Sequence, residues 1–134
     1  MTDEPAVIPT IYAGWHTYQS LLIEALAGLT PEQLALSVAP GLRSIHGIAT
    51  HIIGARARWF EQLLGEGGDA FVALATWDRA GQPARTAAEL ASGLEATWAG
   101  IQAAIAGWTP EQWAQTYPGE PPSEPAALTR QWVI

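Results

Sequence analysis

The sequence predicts an all-α protein, and three features of its pattern support that prediction. Apolar residues recur at steps of three and four along three long stretches, the spacing of one face of an α-helix. Each stretch follows a proline or a capping residue and ends near glycine or a new cap. The chain has 134 residues, of which 49% are hydrophobic, enough to form one core but not two. We therefore expect a single domain over residues 1–134.

The first predicted helix begins near Ile11, after Pro9, and ends near Gly28. Thr30 and Pro31 follow it, a threonine cap with proline at the first helical position, and they predict a short helical turn. The expected core stripe of the first helix is Ile11, Trp15, Tyr18, Leu22, Ala25 and Leu29.

The second predicted helix begins near Ser44, a good capping residue, and ends at Gly65. A long irregular connection then covers residues 71–83, with one short helix before Gly81. A crossover of this length lets the two long helices that it joins run parallel. The expected core stripe of the second helix is Ile45, Ile48, Ile52, Ala55, Trp59 and Leu63.

The third predicted helix begins after Thr86, and Glu89 completes a capping box with it. Thr109 opens a second copy of the tetrapeptide seen at Thr30, and we interpret the match as reused capping chemistry. The expected core stripe of the third helix is Ala87, Leu90, Leu94, Trp98, Ile101, Ile105 and Trp108.

The last part of the chain has two different patterns. Residues 117–125 contain four prolines and one glycine, which predict an extended connector. Residues 126–134 are apolar and compatible with a helix, without a stop signal before Ile134. They predict the first turns of a fourth helix that is truncated at the C-terminus.

Composition excludes several classes of function. The chain has thirteen acidic residues and six arginines, a net charge of −7, and the arginines are scattered along the sequence. Because a negative protein repels the phosphate backbone, we expect no nucleic-acid partner. The absence of cysteine excludes thiolate metal sites and cysteine nucleophiles, which leaves histidine and carboxylates as the strong metal ligands. No run of eighteen apolar residues predicts a membrane span, and the acidic start of the chain does not match a secretory signal. We therefore expect a cytoplasmic, globular protein.

The three histidines, His16, His46 and His51, form no i, i+4 pair. His46 and His51 are separated by about 140° around the second helix and cannot easily share one ion. His51 lies about 70° from the centre of the predicted stripe, at the margin of the core, whereas His46 lies about 150° away and should face water. On spacing alone His51 is a hydrogen-bonded core histidine, and His16 approaches it only if the first two helices pack side by side.

These motifs together resemble the DinB/YfiT-like superfamily of up-down four-helix bundles, which have a long crossover between helices two and three. The resemblance covers nearly the whole chain and implies that the last segment leads into the fourth helix. The resemblance rests on four segments: LTPEQL at 29–34, RSIHGIATHI at 43–52 with WF at 59–60, RTAAEL at 85–90 and LTRQWVI at 128–134.

The resemblance also implies a metal site. In that family a histidine of the second helix and an HxxxH pair of the fourth bind one divalent metal, zinc or nickel. The matching position is His51, so the resemblance favours a ligand over a core histidine. No HxxxH occurs before Ile134, and one histidine cannot hold a catalytic zinc. The sequence leaves open whether the gene product continues or the chain is a remnant that binds no metal.

Two functions follow from the resemblance. The first is a metal-dependent thiol S-transferase or hydrolase of detoxification or stress response, acting on a low-molecular-weight thiol and a small electrophile, with Trp15 and Trp59 as candidates for lining its pocket. No catalytic residue is assigned beyond the ligand His51. The alternative is an inactive helical scaffold that acts by dimerisation or protein interaction. Because a bundle without its fourth helix exposes apolar faces, we expect a homodimer.

Overall fold

The computed structural model describes residues 4–119, 121–124 and 127–130, with the side chains described from Tyr12 onward. Helices dominate these ranges, and one small two-stranded sheet follows them, which confirms the all-α class. None of the helices in these ranges is long and apolar enough to cross a bilayer. The helices are α1 (Glu4–Leu26), α2 (Pro31–Leu34), α3 (Ile45–Arg58), α4 (Gly68–Leu74), α5 (Ala87–Gly107) and α6 (Pro110–Ala114), and the strands are β1 (Thr116–Pro118) and β2 (Ala127–Thr129).

Helix α5 is central, and α3 runs parallel to it. At the start of α3, Nε2 of His46 accepts a hydrogen bond from the backbone N–H of Arg85, which precedes α5. At the other end, Phe60 stacks on Trp108 with ring centroids 5.9 Å apart. Contacts between the two beginnings and between the two ends require parallel helices, as the long crossover predicted.

Helix α1 packs on α5 in the opposite direction. Tyr12 stacks on Trp113 beyond the end of α5, with ring centroids 6.4 Å apart. Trp15 packs on Trp98, with ring centroids 4.8 Å apart. The predicted start near Ile11 is wrong, because α1 begins at Glu4 and its backbone is already helical at Pro9.

The predicted core stripe of α1 is correct only in part. Gln19 and Leu26 are buried, and Trp15 and Leu22 are half-buried against the core, whereas Tyr18 is 57% exposed. The stripe is rotated because α1 packs chiefly on α5, and a glutamine, which apolar periodicity does not select, occupies a central position of the interface.

The predicted caps are confirmed. Each of three threonines accepts from the backbone N–H three residues later, while the side chain of that residue accepts from the threonine N–H. Such caps stabilise a helix by about 1 kcal/mol each. The pairs are Thr30 with Gln33, Thr86 with Glu89, and Thr109 with Gln112.

The predicted core stripe of the second long helix is wrong by one residue. Ile48 is 48% exposed, while Ile53 and Ala57 are completely buried. Apart from Ile53, the buried residues of α3 are small, which permits close packing against α5, and the other isoleucines lie on the flank. The helix continues as a π-helical turn over Trp59–Leu63 before it ends near Gly65.

The crossover is packed, as predicted, and contains α4. Phe71 of α4 is 3% exposed and lies against α5. A Cβ on Gly100 would come within 2.5 Å of the Phe71 ring, so glycine allows α4 this close to α5. α4 and the turn after it therefore cover one side of α3 and α5.

The helix predicted over residues 126–134 begins later than expected, because residues 127–129 form a strand and Arg130 is helical. β1 and β2 pair antiparallel, with Thr116 opposite Thr129, so residues 127–129 are extended, and 131–134 lie outside the described residues. Arg130 fixes this hairpin, because its Nη1 lies 2.7 Å from Oε1 of Glu66 in the loop after α3. The indole N–H of Trp108 donates to the same carboxylate.

Candidate functional site

The candidate site is centred on His51 of α3. Its Nδ1 lies 2.9 Å from Oδ2 of Asp78, in the turn after α4. The His51 side chain is 41% exposed, whereas that of Asp78 is only 11% exposed. Since Asp78 is a carboxylate, Nδ1 carries the proton and Nε2 presents its lone pair on the outward side of the ring.

Arg58 holds Asp78 in place. Its Nη1 and Nη2 donate to Oδ1 and Oδ2 of Asp78 at 2.6 and 3.0 Å, and Nη1 also donates to the carbonyl of Ala75 at 2.9 Å. These hydrogen bonds from Arg58 lower the pKa of Asp78 to about 2; burial opposes the shift and the bond to His51 adds to it. Asp78 therefore stays ionised at neutral pH and orients the imidazole.

The structure reverses the predicted placing of the two α3 histidines. His46, expected to face water, lies near the centre of the observed buried stripe, where the Arg85 N–H occupies its Nε2 at 2.9 Å. His51 lies about 140° from the centre of that stripe. His51 is consequently an outer histidine that the crossover reaches from the side.

The remaining histidine belongs to another part of the bundle. His16 is exposed on α1, and its Nδ1 accepts a long hydrogen bond of 3.4 Å from the Trp98 indole of α5. His51 contacts the crossover instead, so the two histidines lie against different elements. The side-by-side approach of His16 to His51 is therefore not formed.

The described residues do not complete a metal site. Within residues 4–119, 121–124 and 127–130, no three histidine or carboxylate side chains are grouped so that they could bind one ion. His51 has the free Nε2 and the carboxylate partner of a ligand, but a three-ligand zinc site needs two more. The residues present fit one ligand and do not fit the whole centre.

A surface groove of about 440 Å³ opens beside the site, a volume within the range of small-molecule pockets. Arg58 belongs both to this groove and to the Asp78 pair. Trp59 lines this groove, whereas Trp15, the other candidate for lining a pocket, packs between Arg56 and Trp98 elsewhere. The groove is lined by Arg58, Trp59, Gln62, Leu63, Pro118, Glu124 and Leu128.

Sequence reasoning missed Asp78 and Arg58. Asp78 lies in a connection without periodicity, and nothing in the spacing places it beside a helix 27 residues earlier. One usable signal was Gly54, because glycine inside a helix often marks the close approach of another group. The other was Arg58 itself, a charge one residue before the apolar pair Trp59 and Phe60.

The structure defines a helical bundle with a packed crossover and an outward histidine, His51, on its second long helix. A family model described as the DinB superfamily matches residues 15–134. The chain therefore belongs to the DinB superfamily. Comparisons with curated proteins and with solved structures returned no significant match.

Proposed function

We propose that this chain is a cytoplasmic, single-domain protein that contributes His51 as one ligand of a divalent-metal centre. The hydrogen bond between His51 Nδ1 and Asp78 Oδ2, at 2.9 Å, supports this proposal most directly. A metal-binding histidine usually donates its second N–H to a carboxylate, which fixes the tautomer and makes the ligand nitrogen more basic. Membership of a superfamily whose proteins commonly bind metals supports it further.

The activity that we propose for the complete centre is that of a thiol S-transferase or a hydrolase in detoxification or stress response. Zinc or nickel, when bound, would lower the pKa of a low-molecular-weight thiol or of water and favour its attack on a small electrophile. In this chain His51 supplies a ligand nitrogen, Asp78 orients it, and Arg58 holds Asp78. The other ligands must come from outside the described residues.

The first test uses the three histidines as separate NMR probes. Cobalt(II), a paramagnetic substitute for zinc, is added below one equivalent while the Cε1–H signals of His16, His46 and His51 are recorded. We expect the His51 signal to broaden first, and Asp78→Asn to weaken this effect about tenfold or more. His16→Gln is the matched control and should leave it unchanged. Earlier broadening of His16 or His46 would contradict the ligand assignment.

A second test asks whether the protein carries a metal. Native mass spectrometry of protein purified without chelator reports chain mass, oligomeric state and bound metal together. About one zinc or nickel per chain, lost in His51→Ala, supports the enzyme proposal. A metal-free spectrum even with added zinc would exclude metal-dependent chemistry for these 134 residues.

The second candidate function is a scaffold that acts through dimerisation or protein interaction. Three exposed apolar side chains lie close together in sequence in the loop before α3, namely Leu36, Val38 and Leu42, with exposures of 61, 93 and 57%. Adjacent apolar groups of this kind often mark contact surfaces. Light scattering should show a dimer that Val38→Lys disrupts, with Thr76→Lys on an exposed turn as the control. A monomer at all concentrations would reject the dimer.

A further inference from the structure

A second polar cluster lies between α1, α3 and α5, and Arg56 of α3 is at its centre. Nη1 of Arg56 donates to Oε1 of Gln19 at 2.8 Å, and to the carbonyl of Leu94 and the hydroxyl of Thr97 at 3.4 Å each. Arg56 and His51 are separated by about 140° around α3, so this cluster is distinct from the Asp78 site. It also does not depend on the proposed metal function.

The guanidinium of Arg56 has no counter-ion in the described part of the chain. The ion pairs found there join Asp78 to His51 and Arg58, and Glu66 to Arg130. Burial lowers the pKa of Arg56 to about 10, and the nearby Tyr18 phenol acts in the opposite direction. Arg56 is therefore a charged, half-buried group, and a buried charge without a partner is unfavourable.

Gln19 provides a second, independent sign of a missing partner. It is only 4% exposed, and its Oε1 is engaged by Arg56, which fixes the orientation of the amide. Its Nε2 is buried and has no acceptor among the described residues. A buried N–H group without an acceptor is unfavourable, and a bound molecule that accepts from it would remove that cost.

We propose that Gln19 and Arg56 form a binding site for a small organic carboxylate. Nε2 of Gln19 is buried without an acceptor among the described residues. The hydrogen bonds of Arg56 to the described residues all use Nη1, so its Nε and Nη2 are the groups that would donate to a ligand. A carboxylate accepts from all of these groups and neutralises the guanidinium, and charge-assisted bonds of this kind are the strong ones.

An aromatic wall explains why the ligand is organic. The Trp15 ring lies 6.0 Å from Cζ of Arg56 and packs on Trp98 with ring centroids 4.8 Å apart. A ligand that places its carboxylate on Arg56 brings its apolar part against this wall, where burial adds to the affinity. Inorganic phosphate lacks such a part and should bind less tightly.

The test is a titration with benzoate at constant ionic strength, followed by the nitrogen-attached proton signals of Arg56 Nε and Gln19 Nε2. We expect both signals to shift and to saturate at one benzoate per chain, while the neutral analogue benzamide leaves them in place. Arg56→Gln and Gln19→Leu should each weaken binding at least about tenfold. Arg56→Lys, which keeps the charge but loses the planar fork, should bind with intermediate affinity.

The control variant is Arg43→Gln, which removes an exposed arginine before α3 and should bind benzoate as the natural sequence does. Far-UV circular dichroism verifies that each variant is folded. Unsaturable shifts, an equal response to benzamide, or unchanged affinity in folded Arg56→Gln would overturn the proposal. Tighter binding of phosphate than of benzoate would overturn the carboxylate assignment. Signals that move with protein concentration alone would show that the acceptor belongs to a second copy.

Discussion

The carboxylate of Asp78 lies so close to Gly54 that a Cβ on Gly54 would stand 2.6 Å from Asp78 Oδ1. Glycine inside a helix is less favourable than alanine by about 0.5–1 kcal/mol, so its presence in α3 calls for a local reason. The space that Asp78 occupies supplies that reason. Less than one helical turn separates Gly54 from His51, so the same stretch of α3 carries the imidazole and makes room for the carboxylate that orients it.

Gly54→Ala should destabilise the fold and disturb the site together. The added methyl group has to displace Asp78 from Arg58, and overpacking of this kind lowers the free energy of unfolding by about 1–3 kcal/mol. Urea denaturation measures the loss. Gly14→Ala is the control, since nothing lies within 4 Å of a Cβ there and the change should add about 0.5–1 kcal/mol. Equal stability of the two variants would refute the close approach.

The ion pair between Asp78 and Arg58 predicts a specific loss of stability in acid. The pKa of Asp78 falls from its ordinary value of 3.8 to about 2 on folding, so the ionised group stabilises the folded state above pH 4. That contribution, on the order of 1–2 kcal/mol, is lost as the pH falls from about 4 to 2. Urea midpoints across this range should decline less steeply in Asp78→Asn, which cannot titrate.

The matched control for this pH effect is Glu95→Gln, an exposed acid on α5. Its profile should follow that of the natural sequence. If Asp78→Asn and Glu95→Gln give the same profile between pH 4 and pH 2, the folded pKa of Asp78 is not depressed and the Arg58 pair is not formed in solution.

Arg130 should hold the C-terminal hairpin on the bundle. Its side chain is 6% exposed, and Glu66, its partner, is 25% exposed. Among the described residues, Arg130→Met leaves Glu66 bonded to the Trp108 indole alone, and it should lower the free energy of unfolding by about 2–4 kcal/mol, between the values for exposed and fully buried pairs. Arg79→Met, which removes an exposed arginine, should change it by less than about 0.5 kcal/mol. Similar losses in both variants would show that the Glu66 pair does not stabilise the hairpin.

The capping boxes at Thr86 and Thr109 should differ in how much they stabilise the protein. Thr86→Ala should reduce stability by about 1 kcal/mol, because Thr86 begins the 21-residue α5 that every other long helix packs against. Thr109→Ala affects the 5-residue α6, which has no buried residue, and should have a smaller effect. Thermal unfolding compares the two variants. A larger effect of Thr109→Ala would mean that α6 contributes more than its burial indicates.

The short-range features of this chain could be predicted from its sequence. The three threonine caps and the buried face of α5 are where periodicity and capping rules placed them, because each depends on residues a few positions apart. The family is also evident from motifs that follow these caps, and the match over residues 15–134 agrees with them.

The buried face of α3 and the contacts between distant residues could not be predicted from the sequence. Two apolar stripes one residue apart run along α3, and packing buries the one that contains Ala49 and Ala57, so that Ile53 and not Ile52 is fully buried. The same choice decides which histidine faces outward. Asp78 reaches His51 only through the path of the crossover, and residues 127–129 form a strand where apolar content alone predicted a helix.

The π-helical turn at Trp59–Leu63 has an evolutionary consequence. Such a turn holds about one residue more than an α-helical turn, so removing that residue would close the turn to α-helical geometry and change which of its side chains face the groove. Since Trp59, Gln62 and Leu63 line the groove while His51 lies upstream, one deletion would reshape the groove and leave the histidine untouched. A single-codon gain or loss at this position would therefore alter the lining of the groove, with the imidazole inherited intact.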